Sequence, residues 1–316
     1  MAKYRTGKDA KFAQSLQDDD DDDSSDNEFG AVMEEGLSIS ATTVIAGGGL
    51  SHSFFPGGPF SALHPAMCPK DVENLLKSQN SAAKKDFEEI KFDEFGFRTD
   101  DEFYPGNKSR FASGHNTSFV EDPQHRLRWI AHLEFAHNQI VEDLTWDKID
   151  AYLPRSDKLR SMVVAGIPHS LRPFLWPRLC GCLTKRKSSS FSYKELLKAT
   201  TTKEKPQIIK QIEKDLLRTM PNNICFENLK SVGIPKLRRI LRAIAFLYPE
   251  IGYCQGTGVI VAHLLLFLDE EQSFWMMVTI VEELLPASYY SGSLLGLQAD
   301  QRVLRQLIQS YLPDTD

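Results

Sequence analysis

Apolar residues recur at helical spacing through the part of the chain that follows Asp122. Residues three or four apart lie on one face of an α-helix, so this spacing predicts a series of amphipathic helices. The periodic residues are Ile130, Leu133, His137, Ile140 and Leu144, then Ile208, Ile212 and Leu216, then Leu237, Ile240, Leu241, Ile244 and Leu247, and finally Leu304, Leu307, Ile308 and Tyr311. Residues 256–268 are apolar on every side, which is typical of a helix buried among other helices. Because this half of the sequence has no alternating strand pattern, it predicts an all-α fold.

Start and stop signals divide this region into separate helices. Asp122 followed by Pro123 is typical of an N-cap with proline at the first helical position. Asp269 with Gln272 three residues later resembles a capping box, and the helix that it opens is expected to stop at Pro286. The other predicted boundaries are Thr145, Ser156 and Ser170 as N-caps and Gly166 as a helix end.

The residues before position 122 have a different composition. The run DDDDDDSSD and the glycine-rich stretch AGGGLSHSFFPGGP are typical of segments that cannot bury enough apolar surface to fold. We expect a disordered tail at 1–57 and a mostly disordered linker at 58–121. An aromatic island at 92–98 (FDEFGFR) is expected to dock on the folded part. The folded part divides into a helical lead-in at 122–165 and a domain at 166–316.

Charge and cysteine content narrow the classes of function. The net charge is -6, of which -5 comes from the nine acids and four bases of the first 30 residues. The rest is close to neutral, so the sequence shows no sign of a nucleic-acid-binding surface. Five cysteines, an odd number, are typical of a reducing compartment rather than of a disulfide framework. The first residues lack a signal peptide and no apolar run could span a bilayer, so we expect a cytoplasmic protein.

Motifs for a cofactor or metal are missing from the sequence. It contains no G-x-x-x-x-G-K-[ST] phosphate loop, no H-E-x-x-H and no paired C-x-x-C. Cys180 and Cys182 have no second cysteine pair, which argues against zinc. Cys254 and His263 are nine residues apart on one predicted helix, so they face opposite sides and cannot share a proton. We therefore expect neither a cofactor nor a metal.

Two short segments remain as candidates for chemistry. The segment IEKDLLR places Asp215 and Arg218 three apart on a helix, where their side chains can meet. An ordinary surface ion pair would have the same spacing. The segment YCQG places Gln255 before Gly256 at the start of the apolar helix, where a polar cap would also fit. From the residues alone, both interpretations of each segment stay open.

With a third segment, these two resemble the signature of a known family. RPFLW (172–176), IEKDLLR (212–218) and YCQG (253–256) match, in order, the R-x-x-x-W, I-x-x-D-x-x-R and Y-x-Q motifs of the TBC domain. The resemblance implies an all-helical domain at 166–316 that activates GTP hydrolysis by Rab-type small GTPases. Such a protein regulates another enzyme and has no substrate turnover of its own. The implied partner is a GTP-bound Rab, which would hold the GTP and Mg²⁺ itself and bring the chain to a membrane peripherally.

The resemblance also implies roles for individual residues. Arg218 would be an arginine finger that stabilises charge developing on the transferred phosphoryl group. Gln255 would be a glutamine finger that orients the attacking water in place of the GTPase's own glutamine. Asp215 would hold Arg218 extended before the partner arrives, and Tyr253 is a supporting residue of the same signature.

Further supporting roles follow from the same resemblance. Gly256 and Gly258 would let the backbone beside Gln255 approach the partner's nucleotide site. Arg172 and Trp176 would support the fold, as an arginine that braces neighbouring helices and a buried tryptophan.

Two features depart from the family pattern. Pro177 follows Trp176 inside a predicted helix, where proline removes a backbone hydrogen bond and is expected to kink the helix. The chain ends at YLPDTD, whereas a TBC domain continues with further helices, so we expect a C-terminally truncated domain. Its helices at 256–268 and 270–285 would then be left partly uncovered. The alternative function is a truncated helical module that binds a small GTPase or trafficking partner without accelerating hydrolysis.

Overall fold

Helices make up nearly all of the regular structure in the part of the chain that the computed structural model describes. The described residues are 60–69, 92–99, 121–137, 146, 149–153, 155–202, 205–286, 289–290 and 292–312. These ranges contain two isolated β-bridges and no strand, so the predicted all-α fold is confirmed. The predicted tail at 1–57 lies outside the described residues. Of the described helices, none has the length and apolar character needed to cross a bilayer.

Ten α-helices follow one another in the described ranges after residue 121. They are α1 (Pro123–His137), α2 (Asp157–Val164), α3 (Arg172–Cys180), α4 (Cys182–Ser188), α5 (Tyr193–Thr202), α6 (Pro206–Thr219), α7 (Gly233–Leu247), α8 (Thr257–Phe267), α9 (Glu270–Thr279) and α10 (Leu295–Tyr311). Single 3₁₀ turns lie at Pro65–Met67 and His169–Leu171, and a π-helical segment at Ile280–Leu284 follows α9.

The larger hydrophobic core is built around α7. Leu237, Ile240, Leu241 and Ile244 lie on one face of this helix because of their spacing, and all four are buried. The helix contacts α5, α6, α8 and α9. Each such side chain contributes about 1.5–3 kcal/mol to folding when it is fully buried. This packing fixes the position of α6 relative to α8, which the candidate site depends on.

A smaller core joins α1, α2 and the start of α3. Trp129 of α1 is buried and donates its indole N–H to the carbonyl of Gly166, at 3.1 Å. Trp146 stacks on Phe174 of α3 with ring centroids 4.3 Å apart and planes 3° from parallel. The predicted helical lead-in therefore packs on α3.

Several predicted caps are confirmed. The Asp122 carboxylate accepts from the N–H of Gln124 at 3.0 Å, and the Ser156 hydroxyl accepts from the N–H of Leu159 at 3.1 Å. The Asp269 carboxylate accepts from the Gln272 N–H at 2.7 Å and opens α9. Gly166, predicted as a helix end, lies two residues after the end of α2 and has a φ of 105°. The predicted cap at Thr145 lies outside the described residues.

The predicted cap at Ser170 is wrong. Its N–H and its hydroxyl both donate to the carboxylate of Glu121, at 3.0 and 2.8 Å. Leu171 precedes α3 and makes no side-chain cap. Ser170 thus bonds to a carboxylate 49 residues away in sequence and does not cap α3. These bonds attach the residue before α1 to the turn before α3.

Two helices were not predicted, α4 and α5. The segment before α5 contains a capping box that could have indicated its start. The N–H of Ser192 donates to the Glu195 carboxylate at 2.7 Å, and the N–H of Glu195 donates to the Ser192 hydroxyl at 3.2 Å. The sequence S-x-x-E is the usual signal for this arrangement.

Two segments that precede α1 pack on the helices, and we call them together the N-terminal strap (residues 60–69 and 92–99). The predicted docking of the aromatic island is confirmed by two contacts. The ring centroids of Phe95 and of Phe267 in α8 are 5.4 Å apart, and the Arg98 guanidinium pairs with the Glu227 carboxylate at 2.9 Å. The first segment was predicted as part of a disordered linker. Instead, Phe60 and Met67 are buried in the larger core, because helices elsewhere in the chain supply the apolar surface that the segment lacks.

The apolar helices α8 and α9 are more deeply buried than expected. The helices α8 and α9 were expected to be partly uncovered, but most of their residues are buried by described parts of the chain. Six of the exposed large apolar residues that the structure describes lie on α10, where no residue is buried. Pro177 is buried inside α3, and the helix continues past it to Cys180.

Candidate functional site

The last turn of α6 and the loop before α8 meet at a buried carboxylate. Asp215 lies on α6 with its side chain 7% exposed. The hydroxyl of Tyr253, from the loop, donates to one carboxylate oxygen (Oδ2) of Asp215 at 2.8 Å. The guanidinium of Arg218 pairs with the other oxygen (Oδ1). One side chain of α6 thus joins residues of two signature segments that are 35 positions apart.

Arg218 contacts Asp215 through one terminal nitrogen of its guanidinium, and most of its side chain faces solvent. Its side chain is 60% exposed, although the carboxylate that it contacts is buried. The two residues are three apart on the helix, as predicted. An exposed ion pair of this spacing would contribute only a few tenths of a kcal/mol. A buried carboxylate with a second partner differs from that surface pair, because it restricts where the arginine can go.

Tyr253 completes the arrangement from the loop side. Burial, and then its hydrogen bond to the Asp215 carboxylate, raise the pKa of the Tyr253 hydroxyl well above its usual value. The hydroxyl therefore stays protonated near neutral pH and donates to the carboxylate. The bond attaches the loop of Gln255 to the helix of Arg218.

Gln255 lies in the turn that opens α8, and its residue is exposed. Among the described residues, its side-chain amide has no hydrogen-bond partner. Gly256 follows with φ 97°, in the left-handed region that favours glycine, and acts as the N-cap of α8. The turn is closed by the hydroxyl of Thr257, which donates to the carbonyl of Cys254 at 2.7 Å. The backbone beside Gln255 is ordered while its amide is free to contact a partner.

The two glycines of this segment, Gly256 and Gly258, have different surroundings. A Cβ at Gly256 would meet nothing within 4 Å, so the space beside it is open. Gly258 is buried, and a Cβ there would lie 3.1 Å from the hydroxyl oxygen of Thr219. The close approach of this backbone to a partner's nucleotide site stays a prediction, and the contact that the structure shows at Gly258 is with α6.

The first signature segment lies away from this site. The guanidinium carbon of Arg172 is 5.8 Å from the ring centroid of Trp176 and 5.7 Å from that of Phe267, and its Nε donates to the Ile167 carbonyl at 3.0 Å. Phe267 ends α8, ten residues after the helix begins, which is about 15 Å along its axis. Arg172 and Trp176 thus brace α3 against the far end of α8. Trp176 was expected to be buried, but it is only half-buried.

Some residues around the site were not predicted. Glu213 of α6 accepts a two-point hydrogen bond from Arg238 of α7, at 2.7 and 2.9 Å. The hydroxyl of Thr219 donates to the Asp215 carbonyl at 2.7 Å. Opposite charges 25 residues apart leave no local signal in the sequence, so only the packing of α6 on α7 reveals this pair. Both contacts hold the end of α6 that carries Arg218.

Two exposed apolar side chains lie on the segments that carry Arg218 and Gln255. Leu217 and Val259 are 41% and 40% exposed, and they are close in sequence to Arg218 and Gln255, respectively. No group of three or more His, Cys, Asp or Glu is placed to hold a metal ion in the ranges that the structure describes. The exposed groups at the site are thus an arginine, a glutamine amide and two aliphatic side chains. Such groups can stabilise negative charge, orient a water molecule and contact a protein.

Comparison with known proteins identifies the domain. A family model of the Rab-GTPase-TBC domain matches residues 169–315. Small G protein signaling modulator 3 of Rattus norvegicus is 58% identical over 266 residues, which are 84% of this chain and 35% of that protein. TBC1 domain family member 2B of Mus musculus is 44% identical over 161 residues, which are 50% of this chain and 17% of that protein. The solved flagellar RabGAP TBC domain of Chlamydomonas is 25% identical, with a TM-score of 0.46 over 60% of this chain and 58% of that chain.

The matched residues include all three signature segments, and with them Asp215 and its two partners, Arg218 and Tyr253. The chain spans about a third of the length of the modulator proteins that it matches over most of its residues. Similarity to these proteins confirms the resemblance inferred from the three motifs. Residues 169–315 therefore form a domain of the Rab-GTPase-TBC family.

Proposed function

We propose that this chain stimulates GTP hydrolysis by a Rab-type small GTPase and that Arg218 and Gln255 act on the GTPase's nucleotide in trans. The observation that carries the proposal is the buried Asp215 carboxylate, which contacts Arg218 and Tyr253 at the same time. This arrangement links the two exposed side chains before any partner binds. Family membership supports the choice of a Rab as partner.

The two side chains would supply what GTP hydrolysis lacks. The reaction is limited by charge that develops on the transferred phosphoryl group and by the placement of the attacking water. An arginine from outside accelerates the reaction by about 10³–10⁵, which corresponds to about 4–7 kcal/mol of barrier. Gln255 would orient the water through its free amide. The partner would hold the GTP and its Mg²⁺.

The preformed contacts would lower the entropic cost of placing Arg218 in a partner's site. A flexible arginine loses side-chain freedom when it enters a partner's site, at a cost of about 1.5–2 kcal/mol. The contact with Asp215 limits that freedom beforehand. The guanidinium is also accessible to an anionic group, since more than half of the Arg218 side chain faces solvent. The exposed Leu217 and Val259 would supply apolar contacts to the partner's surface.

Phosphate release from a panel of GTP-loaded Rabs, with and without the chain, tests the proposal. We expect stimulation of at least one Rab, and loss of about 10³-fold or more of it in Arg218→Ala. The matched control is Arg160→Ala, because Arg160 is an exposed arginine on α2, outside the site. Binding of a GTP-loaded Rab without faster phosphate release would contradict the proposal, as would equal effects of the two substitutions.

A further inference from the structure

Gly258 occupies a position where glycine is not required by the backbone. It is the second residue of α8 and is buried, and its φ does not lie in the left-handed region. Alanine is a better helix former than glycine at such a position. Gly256 differs, since its positive φ and open surroundings explain its identity. The reason for glycine at 258 must therefore lie in what packs against it.

The missing side chain makes room for α6. A Cβ on Gly258 would lie 3.1 Å from Oγ1 and 3.6 Å from Cγ2 of Thr219, and 3.6 Å from the hydroxyl oxygen of Tyr253. The first of these distances is shorter than ordinary van der Waals contact. Thr219 cannot turn away freely, because its hydroxyl donates to the Asp215 carbonyl at 2.7 Å. To fit an added methyl group, Thr219 and the last turn of α6 would have to move by a few tenths of an ångström relative to α8.

The contact lies between the elements that carry the two fingers. Thr219 directly follows Arg218, and Gly258 follows Gln255 by three residues. The separation of α6 from α8 at this point also determines whether the Tyr253 hydroxyl reaches the Asp215 carboxylate, which it does at 2.8 Å. A shift of a few tenths of an ångström here would move one finger relative to the other.

We propose that Gly258 and Thr219 are positioning residues that set the spacing between α6 and α8 and, through it, the relative placement of Arg218 and Gln255. Neither residue contacts the nucleotide; both act through the finger residues. The inference rests on the proposed GTPase-activating function for its effect on rate. Its effect on the Tyr253–Asp215 bond does not depend on that function.

The experiment compares four variants of the 316-residue chain: Gly258→Ala, Thr219→Ala, Gly258→Ala with Thr219→Ala, and Gly258→Ala with Thr219→Ser. Alanine at 219 removes the oxygen that the new methyl group would meet, whereas serine keeps it. Misplacement of catalytic groups by about 1 Å can cost about 100-fold. For the smaller shift we expect Gly258→Ala to lower kcat of stimulated hydrolysis about three- to tenfold, with KM for the Rab unchanged. The alanine at 219 should restore kcat toward the Thr219→Ala single variant, and the serine should not.

A second measurement is independent of GTPase activation. The ¹³Cζ NMR resonance of Tyr253, assigned by its loss in Tyr253→Phe, reports on the hydrogen bond to Asp215. It should move in Gly258→Ala and return when Thr219 is also alanine. If the parent chain stimulates no Rab, the proposed function fails and this resonance alone decides the inference. An unchanged resonance and unchanged kcat in Gly258→Ala, or equal rescue by alanine and serine at 219, would overturn it.

Discussion

At its N-terminal end, α8 begins beside polar side chains that reach solvent, whereas its C-terminal end is enclosed by rings. Arg218 lies at the first end with most of its side chain exposed. Arg172 lies at the second, between Trp176 and Phe267, and Phe95 of the N-terminal strap covers Phe267 from another side. Both arginines belong to the family signature. The guanidinium of Arg218 is accessible from solvent, whereas that of Arg172 packs against two aromatic rings.

The difference shows how one helix can serve both stability and activity. The enclosed end packs α8 against α3 and the strap through the ring of Phe267. The exposed end then needs only short-range contacts, those of Asp215, Tyr253 and Thr219, to place its functional groups. The same substitution, arginine to lysine, should therefore have opposite consequences at the two ends.

The largest expected effect is that of Arg218→Lys on stimulated hydrolysis. Lysine keeps the charge but loses the planar fork that can contact several phosphate oxygens at once. We expect stimulated phosphate release to fall by about 10³-fold, while the free energy of unfolding changes by a few tenths of a kcal/mol. Rab affinity, measured with a non-hydrolysable GTP analogue, serves as the control and should hardly move. A lysine variant that stimulates hydrolysis as well as the parent would contradict the role of Arg218.

The same substitution at Arg172 should affect stability instead. Lysine cannot lie flat between the rings of Trp176 and Phe267, and it lacks the Nε that donates to the Ile167 carbonyl. We expect the free energy of unfolding to fall by about 1–2 kcal/mol, measured by urea titration. Stimulated hydrolysis per folded molecule should stay within about twofold of the parent. A loss of rate as large as that of Arg218→Lys would show that the two ends are not separate.

Much of this contrast could be predicted from the sequence, because its signals are local. Helical periodicity predicts the buried face of α7, and the spacing of Asp215 and Arg218 predicts their contact. The bond from Tyr253 to Asp215 spans 38 residues, so no periodicity indicates it. The same holds for Ser170, whose cap was predicted from neighbours but whose partner is a distant carboxylate.

The role of glycine is also hard to predict. Gly256 and Gly258 look alike in the sequence, and only their surroundings separate a positive φ from a close approach of two helices. The burial of the Phe60 ring is also hard to predict from the sequence. Phe60 belongs to a glycine-rich region that favours disorder by composition, and its burial depends on a surface that distant helices create.

The smallest expected effect concerns His64, which attaches the strap to the enclosed end of α8. Its backbone N–H donates to the Leu266 carbonyl at 2.7 Å, and its ring Nδ1 accepts from the Ala66 N–H at 3.2 Å. Burial, opposed by Asp269 and reinforced by Lys236, lowers the pKa of His64 below its usual value. The folded protein therefore favours the neutral ring. Protonation would remove the acceptor at Nδ1.

The sign of the pH effect follows from this shift. Because the pKa is lower in the folded state, the unfolded state binds the extra proton first as the pH falls. The stability that the neutral ring contributes is complete above the unfolded pKa of about 6.5 and is lost as the pH falls below it. We expect a loss of about 0.5 kcal/mol, the lower range for a hydrogen bond, measured by urea unfolding at pH 7.5 and 5.5. His64→Asn is the control, since its side chain can still accept from the Ala66 N–H but does not titrate. It should show a smaller difference between the two pH values than the parent, and an equal difference would exclude His64 as the titrating group at this end of α8.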